Sequence, residues 1–506
     1  MNPAATLQRL ALLVCSIGLL SCQQPPAPSC PPTSPTPTAS SAVPATSNPS
    51  GEPARVIVVG GGLAGLVTAY ELEKRGIRSH ILEANDSFGG RVATAYYGKG
   101  NELYSEYGMQ EMWASNPLTA IARELKVPLD EKVEKPFSSV VIDGKLRPLG
   151  DDEDAYFNSF LTPPERKALK GWMAQSKDLL DKINKHTLPQ ADVDKILNVS
   201  FATWVESFKL PKHAYDWIRL TLECELAADW ETFSGLIGLQ EFAVFFGEGE
   251  PNYHVKGGNS NLIKALVNAI HGDKDLSANV MRVDRSTKDG KITARVSYMK
   301  NQRLETIEAE RVVLAVPFVR LHQIEVEPPL SDEKWQGILT LMRGQYTVVH
   351  MLIDKAANKL WKGEDPFPIL TQGLLGVVYG VMHESPPSEP LEVFSLLIHG
   401  PAANAFHMVP RDIKMREVLA GLDKMWPGFS KYVKTSTTFT YHPASIAVWP
   451  PGRSPLDERG QKIREPEMGL YLAGDWTYSG HSDGAVKSGI KVAEQIAREL
   501  GAHSAH

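Results

Sequence analysis

Six residues, Gly60-Gly61-Gly62-Leu63-Ala64-Gly65, have the composition and spacing of a turn that presents backbone N–H groups to phosphate. In such a turn Gly60 allows the tight bend, Gly62 lets a pyrophosphate come close to the backbone, and Gly65 lets the next helix lie near the sheet. Glu83 follows where a strand–turn–helix–strand unit delivers a carboxylate to a ribose hydroxyl, which disfavours a 2′-phosphate. The chemistry that these residue types support is the holding of a dinucleotide. Alone, the glycine triplet would also suit a close helix–strand turn in any α/β domain; the acid in register favours the dinucleotide.

The elements that must position them are legible on either side. Val56 to Val59 has the length and β-branched content of a buried parallel strand. A helix is predicted from the glycine turn through Tyr70 and Leu72 to a stop at Gly76, and a second strand from Ser79 to Leu82 ends at the acid. A few residues on, Phe88-Gly89-Gly90-Arg91 offers flexible backbone and a guanidinium beside the expected pyrophosphate. Near the C-terminus, Gly469-Leu470-Tyr471-Leu472-Ala473-Gly474-Asp475 reads as a short buried strand ending in a Gly-acid turn. Ser479-Gly480-His481-Ser482-Asp483-Gly484-Ala485-Val486 then opens a last helix with apolar residues at Val486, Ile490, Ala493, Ala497 and Leu500.

These pieces together resemble the FAD-binding signature of the flavin amine oxidase family, which includes monoamine, polyamine and L-amino-acid oxidases and is related to phytoene-desaturase-like enzymes. The resemblance runs from about Arg55 to Gly501 and includes Gly257-Gly258-Asn259-Ser260-Asn261-Leu262, the strand carrying Val280, and Val312-Val313-Leu314-Ala315-Val316-Pro317. It implies non-covalent FAD as cofactor, with Gly60, Gly62, Leu63, Ala64, Gly65, Glu83, Gly90 and Arg91 on the dinucleotide side. It also implies that Val280 meets the adenine through its backbone, that Asp475 lies by the ribityl and phosphate portion, and that Gly108-Met109 runs beside the flavin ring. Gly474, Ser482 and Ala485 complete that set, the helix N-terminus at Gly484-Ala485 stabilising negative charge on the reduced ring.

The implied fold is α/β: a Rossmann-like FAD-binding domain, discontinuous over 55–113, 250–320 and 442–503, with an interleaved α+β substrate-binding domain over 114–249 and 321–441. In the substrate domain Thr162-Pro163-Pro164-Glu165 reads as a capping box. Leu169, Trp172, Met173, Leu179, Leu180 and Ile183 recur after it at helical intervals, and Phe201, Trp204, Val205 and Phe208 mark another helix. Tyr346 to Ile353, Gly376 to Val381 and Val393 to Ile398 read as strands, with a helix near Asp412 to Trp426. Cys224 is expected to be a half-buried helix residue.

The implied reaction is hydride loss from a carbon bearing nitrogen to the flavin, with oxygen as acceptor and a small-molecule amine as substrate. Three departures from the family bear on this. No lysine occurs between Lys334 and Lys355, where relatives often hold one near the flavin. The two aromatic residues and covalent cysteine of monoamine oxidases correspond to Ser445, His481 and Ala444. Ala93 stands where L-amino-acid oxidases carry the arginine for the substrate carboxylate, which disfavours an ordinary amino acid. Trp449 and His481 remain as candidate catalytic or pocket residues, with Gln110, Glu111 and Met112 shaping the pocket. Two other readings stand beside amine oxidation: a desaturase or dehydrogenase of an apolar substrate passing electrons to a quinone, and a surface protein that retains FAD without catalysis.

Composition sets the frame. A net charge of −6 without long like-charge runs gives no case for nucleic acid. Roughly 450 residues after the first fifty suit two domains. Four cysteines form neither a disulfide framework nor a metal site. Leu10 to Leu20 is an apolar run of signal-peptide length, and Leu19-Leu20-Ser21-Cys22 resembles a bacterial lipobox. The expectation is a lipoprotein signal peptide over 1–21, lipidation of Cys22, and a Pro/Ser/Thr-rich tether over 22–54 that could reach about 100 Å from a membrane outside the cytoplasm. The glutamine after Cys22 points, in relatives of proteobacterial type, to the outer membrane.

Overall fold

The computed structural model of the chain describes residues 54–98, 100–133, 138–147, 152–243, 251–361 and 365–501. The expected signal segment, Cys22 and all but the last residue of the expected tether lie outside them.

The strand predicted at Val56–Val59 forms, and it lies at the middle of a five-stranded parallel sheet in the order Asp273–Asp275, Ser79–Leu82, Val56–Val59, Arg311–Leu314, Leu470–Leu472. A parallel sheet is covered on both faces, which is why its middle strand Val56–Val59 is a run of Val and Ile without alternation, every residue of it buried. Ile57 and Val59 point into one core while Val56 and Val58 point into another. Helix Leu63–Glu73 is buried over almost its whole length because helix Ser482–Glu499 lies across it. The approach is close enough that a β-carbon on Gly489 would sit 2.8 Å from the Ala64 carbonyl oxygen. Of the five apolar positions read on the last helix, Val486, Ala493 and Ala497 are buried and Ile490 and Leu500 are half-buried.

A meander of strands Asn279–Lys288, Lys291–Lys300 and Arg303–Ala309, with Glu325–Glu327 on its edge, makes a second sheet. The third and largest has seven strands in the order Val433–Val448, Met342–Asp354, Leu391–His399, Val377–Gly380, Ile369–Leu370, Ser139–Ile142, Lys145–Arg147. The period of two divides its side chains between two cores. Val349, Met351, Ile353, Phe394, Leu396 and Ile398 pack beneath Ala403, Phe406, Val418 and Leu422 of helices Gly400–His407 and Arg411–Met425. Val348, Val377 and Leu397, on the opposite face, join a core shared with helices Pro163–Asn184, Phe201–Glu206, Lys212–Leu226 and Gly235–Glu241.

These elements lie close to the sequence expectations, and the Thr162–Glu165 capping box is present: the Glu165 carboxylate accepts from the Thr162 backbone N–H at 2.8 Å. Cys224 is a correction. It is buried rather than half-buried, its Sγ donating to the Thr221 carbonyl at 3.0 Å, because the helix carrying it packs on more than one side. Among the described residues no helix is long and apolar enough to cross a membrane.

A β-carbon on Gly65 would lie 2.0 Å from the Gly60 carbonyl oxygen and 3.2 Å from Cβ of Ala315, and backbone cannot yield there without moving the first helix off the sheet. Gly65→Ala should therefore lower stability by about 3 kcal/mol or more, as overpacking against main chain does. Thermal unfolding of the two proteins checks this; an unchanged melting temperature would contradict the contact.

Candidate active site

The sequence-predicted dinucleotide residues come together through a chain of direct contacts. Gly62 precedes helix Leu63–Glu73 as its N-cap, has extended backbone, and leaves the first turn with neither a side-chain cap nor an acid. The positive end of that helix is thus open to an anion. Gly62 bridges to Gly89, and a β-carbon on Gly90 would meet the Gly62 Cα at 3.3 Å. Around Gly62 itself a β-carbon would meet nothing within 4 Å. Its two glycine partners in the turn differ sharply, since at Gly60 and Gly61 the same atom would collide with Ala315 and Phe88. Fold packing accounts for Gly60, Gly61 and Gly65, whereas at Gly62 no protein atom requires the absence of a side chain.

Glu83 ends the second strand buried, with Oε2 accepting the Gly61 N–H at 2.6 Å and Oε1 accepting from the Asn85 backbone at 2.8 Å. A carboxylate has about four acceptor positions, so these bonds orient Glu83 without exhausting it. Ala278 donates its N–H to the Glu83 carbonyl at 2.8 Å, which sets the strand bearing Val280 beside that acid. Val280 is buried, and the ladder shifts register immediately after it.

Arg91 and Asp475, read separately in the sequence, form a bidentate pair at 3.0 and 2.5 Å, and Arg91 also donates to the Ser445 carbonyl. Burial opposes the Arg91 charge, but the Asp475 carboxylate more than compensates and raises its pKa further. Gly108 presses on the Arg91 backbone: its β-carbon would be 2.0 Å from the Arg91 carbonyl oxygen. The Met109 carbonyl accepts from Asn259 Nδ2 at 2.6 Å. Beyond Asp475, the Gly474 N–H donates to Ser488 Oγ at 2.9 Å, and Ser482 Oγ accepts from Asn116 Nδ2 at 2.8 Å. The helix Ser482–Glu499 has His481 as N-cap residue without a side-chain cap, and Ala485 is buried in its first turn. Leu63 and Ala64 are buried at the start of the other helix.

The second half of the site was hidden in the sequence. Arg91, Tyr346, Tyr379, His399 and His481 are half-buried and Glu225 is exposed. Glu225, Glu241, Tyr346, Tyr379 and His481 act on one another electrostatically and so lie together as a cluster. One side of it is the large sheet, where Tyr346 pairs in register with both His399 and His442 and so shares their face. Glu225 and Glu241 come from the ends of helices Lys212–Leu226 and Gly235–Glu241.

Electrostatics in this cluster are dominated by carboxylates. His481 Nε2 lies 3.1 Å from Glu241 Oε2. Burial works against a charge on His481, but Glu241, Glu225 and Asp483 together lift its pKa to about 9. At neutral pH it is an imidazolium that donates to Glu241. Burial raises the Glu225 carboxyl, partly opposed by His481 and reinforced by Glu241. Tyr346 and Tyr379 are held far above the ordinary phenol range, first by burial and then by neighbouring acids that include Glu111 and Glu225. They are donors at all ordinary pH values, Tyr346 giving its proton to the Cys224 carbonyl. His399 is lowered to about 4 by burial and stays neutral.

The two candidate pocket residues separate. His481 is half-buried in the acidic cluster, while Trp449 is packed in the core at 1% exposure, with Arg453 5.3 Å from its ring and Nε1 without a partner among the described residues. Met112 is fully buried and Gln110 is buried with Oε1 unsatisfied, whereas Glu111 acts on both Tyr346 and Tyr379. Glu225 was overlooked because Leu222-Glu223-Cys224-Glu225-Leu226 was read for its cysteine. Two acids within an apolar run at a helix end were the available signal.

A sequence model of the family described as flavin containing amine oxidoreductase matches residues 63–497. Nicotine dehydrogenase of Pseudomonas putida is 24% identical over 481 residues, 88% of each chain. The L-amino-acid oxidase of Demansia vestigiata is 23% identical over 499 residues, 90% of this chain and 88% of that one. Among solved structures, a wild-type putrescine oxidase bound to putrescine superposes with a TM-score of 0.73 at 20% identity, covering 88% of this chain and 99% of that one. A cyclohexylamine oxidase from Brevibacterium oxydans gives 0.71 at 19% identity, covering 89% and 100%. At these identities the solved structures establish a shared fold.

Two outcomes follow from the geometry. Gly62→Ala should leave the melting temperature of the cofactor-free protein unchanged and weaken FAD binding by about tenfold or more, since the new methyl fills ligand space rather than protein space; FAD affinity equal to that of the parent would overturn this. The imidazole of His481 should titrate near pH 9 by NMR. Because its folded pKa lies above the unfolded one, the pair stabilises the protein fully below about pH 6.5, and that contribution disappears as pH rises through 9. A midpoint near 6.5 would show that the carboxylates do not act on it.

Proposed function

The chain belongs to the flavin-containing amine oxidoreductase family, and from that we propose that it oxidises the C–N bond of an amine with oxygen as acceptor. It is an FAD-dependent oxidoreductase. The residues fit the cofactor: there is a glycine cradle with free space at Gly62 and an uncapped helix N-terminus above it. We assign the holding of FAD to Gly60, Gly62, Leu63, Ala64, Gly65, Glu83, Gly90, Arg91, Gly108, Met109, Val280, Gly474, Asp475, Ser482 and Ala485. No cysteine among them offers a covalent link, and the buried thiol of Cys224 is held well above its ordinary pKa. When bound, FAD supplies the hydride acceptor.

The observation that supports the amine reading is the cluster of acids, Glu111, Glu225 and Glu241, around Tyr346, Tyr379 and His481. Such a cluster attracts a cation and repels an apolar hydrocarbon, which tells against the desaturase reading. The chain's own residues concentrate the substrate as an ammonium ion and exclude bulk water from the reacting centre. Tyr346 and Tyr379 remain protonated and serve as donors rather than bases. The names of similar proteins include a nicotine dehydrogenase beside the oxidases, which keeps an acceptor such as a quinone as the alternative to oxygen.

We further propose that the FAD-binding segments are 55–113, 250–320 and 442–503 and the substrate-binding segments 114–249 and 321–441. Export, lipidation at Cys22 and tethering outside a bacterial membrane belong to the same proposal, supported by the lipobox-like Leu19-Leu20-Ser21-Cys22 and the proline-rich stretch after it.

Anaerobic mixing with amines should bleach the flavin absorbance, and oxygen should restore it with release of hydrogen peroxide. The reacting amine must be neutral to lose hydride, so kcat/KM should climb about tenfold per pH unit below the pKa of the free amine. Bleaching by alkenes or alcohols but not by amines would refute the proposal, as would a pH-independent kcat/KM across that range.

A further inference from the structure

Asn259 stands at the N-cap of a helix and does not cap it. Helix Ser260–Ala269 follows it, yet its own backbone is already helical, with φ −61° and ψ −22°, and its side chain makes no capping bond. Asparagine at such a position ordinarily turns its side-chain oxygen onto the free N–H groups of the first turn. Here Nδ2 donates to the Met109 carbonyl at 2.6 Å, across 150 residues of sequence. The side chain is diverted from its own helix to the segment that we place beside the flavin.

Glu106 makes that diversion possible. Its Oε1 accepts the Asn259 backbone N–H at 3.0 Å, and its Oε2 accepts from Thr94 Oγ1 at 2.8 Å. Thr94 exchanges two further bonds with Ser260, each at 2.9 Å, so the start of the helix is gripped on both sides of Asn259. The turn has no slack, for a β-carbon on Gly258 would lie 2.6 Å from Thr94 Oγ1. Glu106 is itself 1% exposed, and a buried polar group with every contact made is held in one arrangement.

The same strand is fastened to the large sheet. His350 is kept neutral by burial; its Nε2 donates to the Glu106 carbonyl at 3.0 Å, and its Nδ1 accepts from the Tyr97 hydroxyl at 3.0 Å. Ser105 Oγ and Ser395 Oγ are hydrogen-bonded at 2.7 Å. Glu106 is therefore fixed at its main chain by the large sheet and at its side chain by the helix start, two residues ahead of Gly108.

Resting on the placement of FAD beside Gly108-Met109, we propose that Glu106 is a positioning residue: by holding the Asn259 N–H it aims the Asn259 amide at the Met109 carbonyl and so sets the main chain against which the flavin lies. It acts through Asn259 and does not itself touch the cofactor.

The test measures FAD affinity and flavin absorbance on the full-length parent, Glu106→Ala, Glu106→Gln, Asn259→Ala and the double variant Glu106→Ala with Asn259→Ala, the melting temperature of each cofactor-free protein verifying that it folds. Glu106→Ala should weaken FAD binding by about tenfold or more and alter the flavin absorbance envelope. Burial lifts the Glu106 carboxyl to about 8, so glutamine matches its neutral form at pH 7 and should restore affinity to within about threefold of the parent. Asn259→Ala should cost about fivefold. The double variant should bind FAD within about twofold of Glu106→Ala, because both changes cut one chain of contacts. Losses that multiply in the double variant would overturn the route through Asn259, as would Glu106→Gln binding no better than Glu106→Ala. Asn259→Ala answers alone if Glu106→Ala does not fold: affinity and absorbance equal to those of the parent would overturn the proposal. A parent that takes up no FAD would instead remove the placement of the cofactor on which it rests.

Discussion

Main chain lying against main chain, with no room for a β-carbon between, is the constraint on which the rest of the molecule depends. Gly65 sits over the Gly60 carbonyl, and Gly108 sits over that of Arg91. The first contact seats a helix on the parallel sheet. The second locks the segment leading to Met109 onto the Gly89-Gly90-Arg91 turn. Gly60 in turn leaves no room against the Ala315 carbonyl, which ties the glycine turn to the far later strand Arg311–Leu314. Gly60, Gly61 and Gly65 are thus required by packing, whereas a β-carbon on Gly62 would meet nothing within 4 Å, a distinction that the motif alone does not make.

Charge then organises the space that backbone defines. Arg91 and Asp475 neutralise one another in two-point contact, so the cofactor side of the site carries little net field of its own. Around His481 the balance is different: Glu241 is hydrogen-bonded to a histidine that its acidic neighbours keep protonated, and that same charge acts on Glu225 from farther away. Glu106 supports the boundary from behind. It is buried, its oxygens accept from the Asn259 backbone at 3.0 Å and Thr94 Oγ1 at 2.8 Å, and burial lifts its carboxyl to about 8. A carboxyl of this kind fastens two loops while presenting little negative charge at neutral pH.

Much of the cofactor half was legible in the sequence because its physics is local. Strand, glycine turn, helix and acid follow one another within thirty residues, and each step has a residue type that few others can replace. The pairing of Arg91 with Asp475 was not legible, since it joins positions 384 apart and neither residue signals the other. Strands such as Leu391–His399 were visible from their apolar content, yet their faces were not. Tyr346, His399 and His442 become one wall only through a register that no single strand contains. Glu225 was obscured in another way. An acid within an apolar helix run is ambiguous until its neighbours from other elements, here His481 and Glu241, are known, and Trp449, attractive by its position, proved to be core.

FAD held without a covalent bond, in the place we propose for it beside Gly62, Arg91, Met109 and Ser482, is the premise of the chemistry. The visible spectrum of the purified full-length protein, before and after denaturation, tests this most directly. Flavin absorbance in the native protein, with a single equivalent of free FAD released into the supernatant on denaturation, is the expected result. A colourless protein that takes up no FAD on incubation would contradict the account, and flavin that stayed attached to the denatured chain would contradict its non-covalent part.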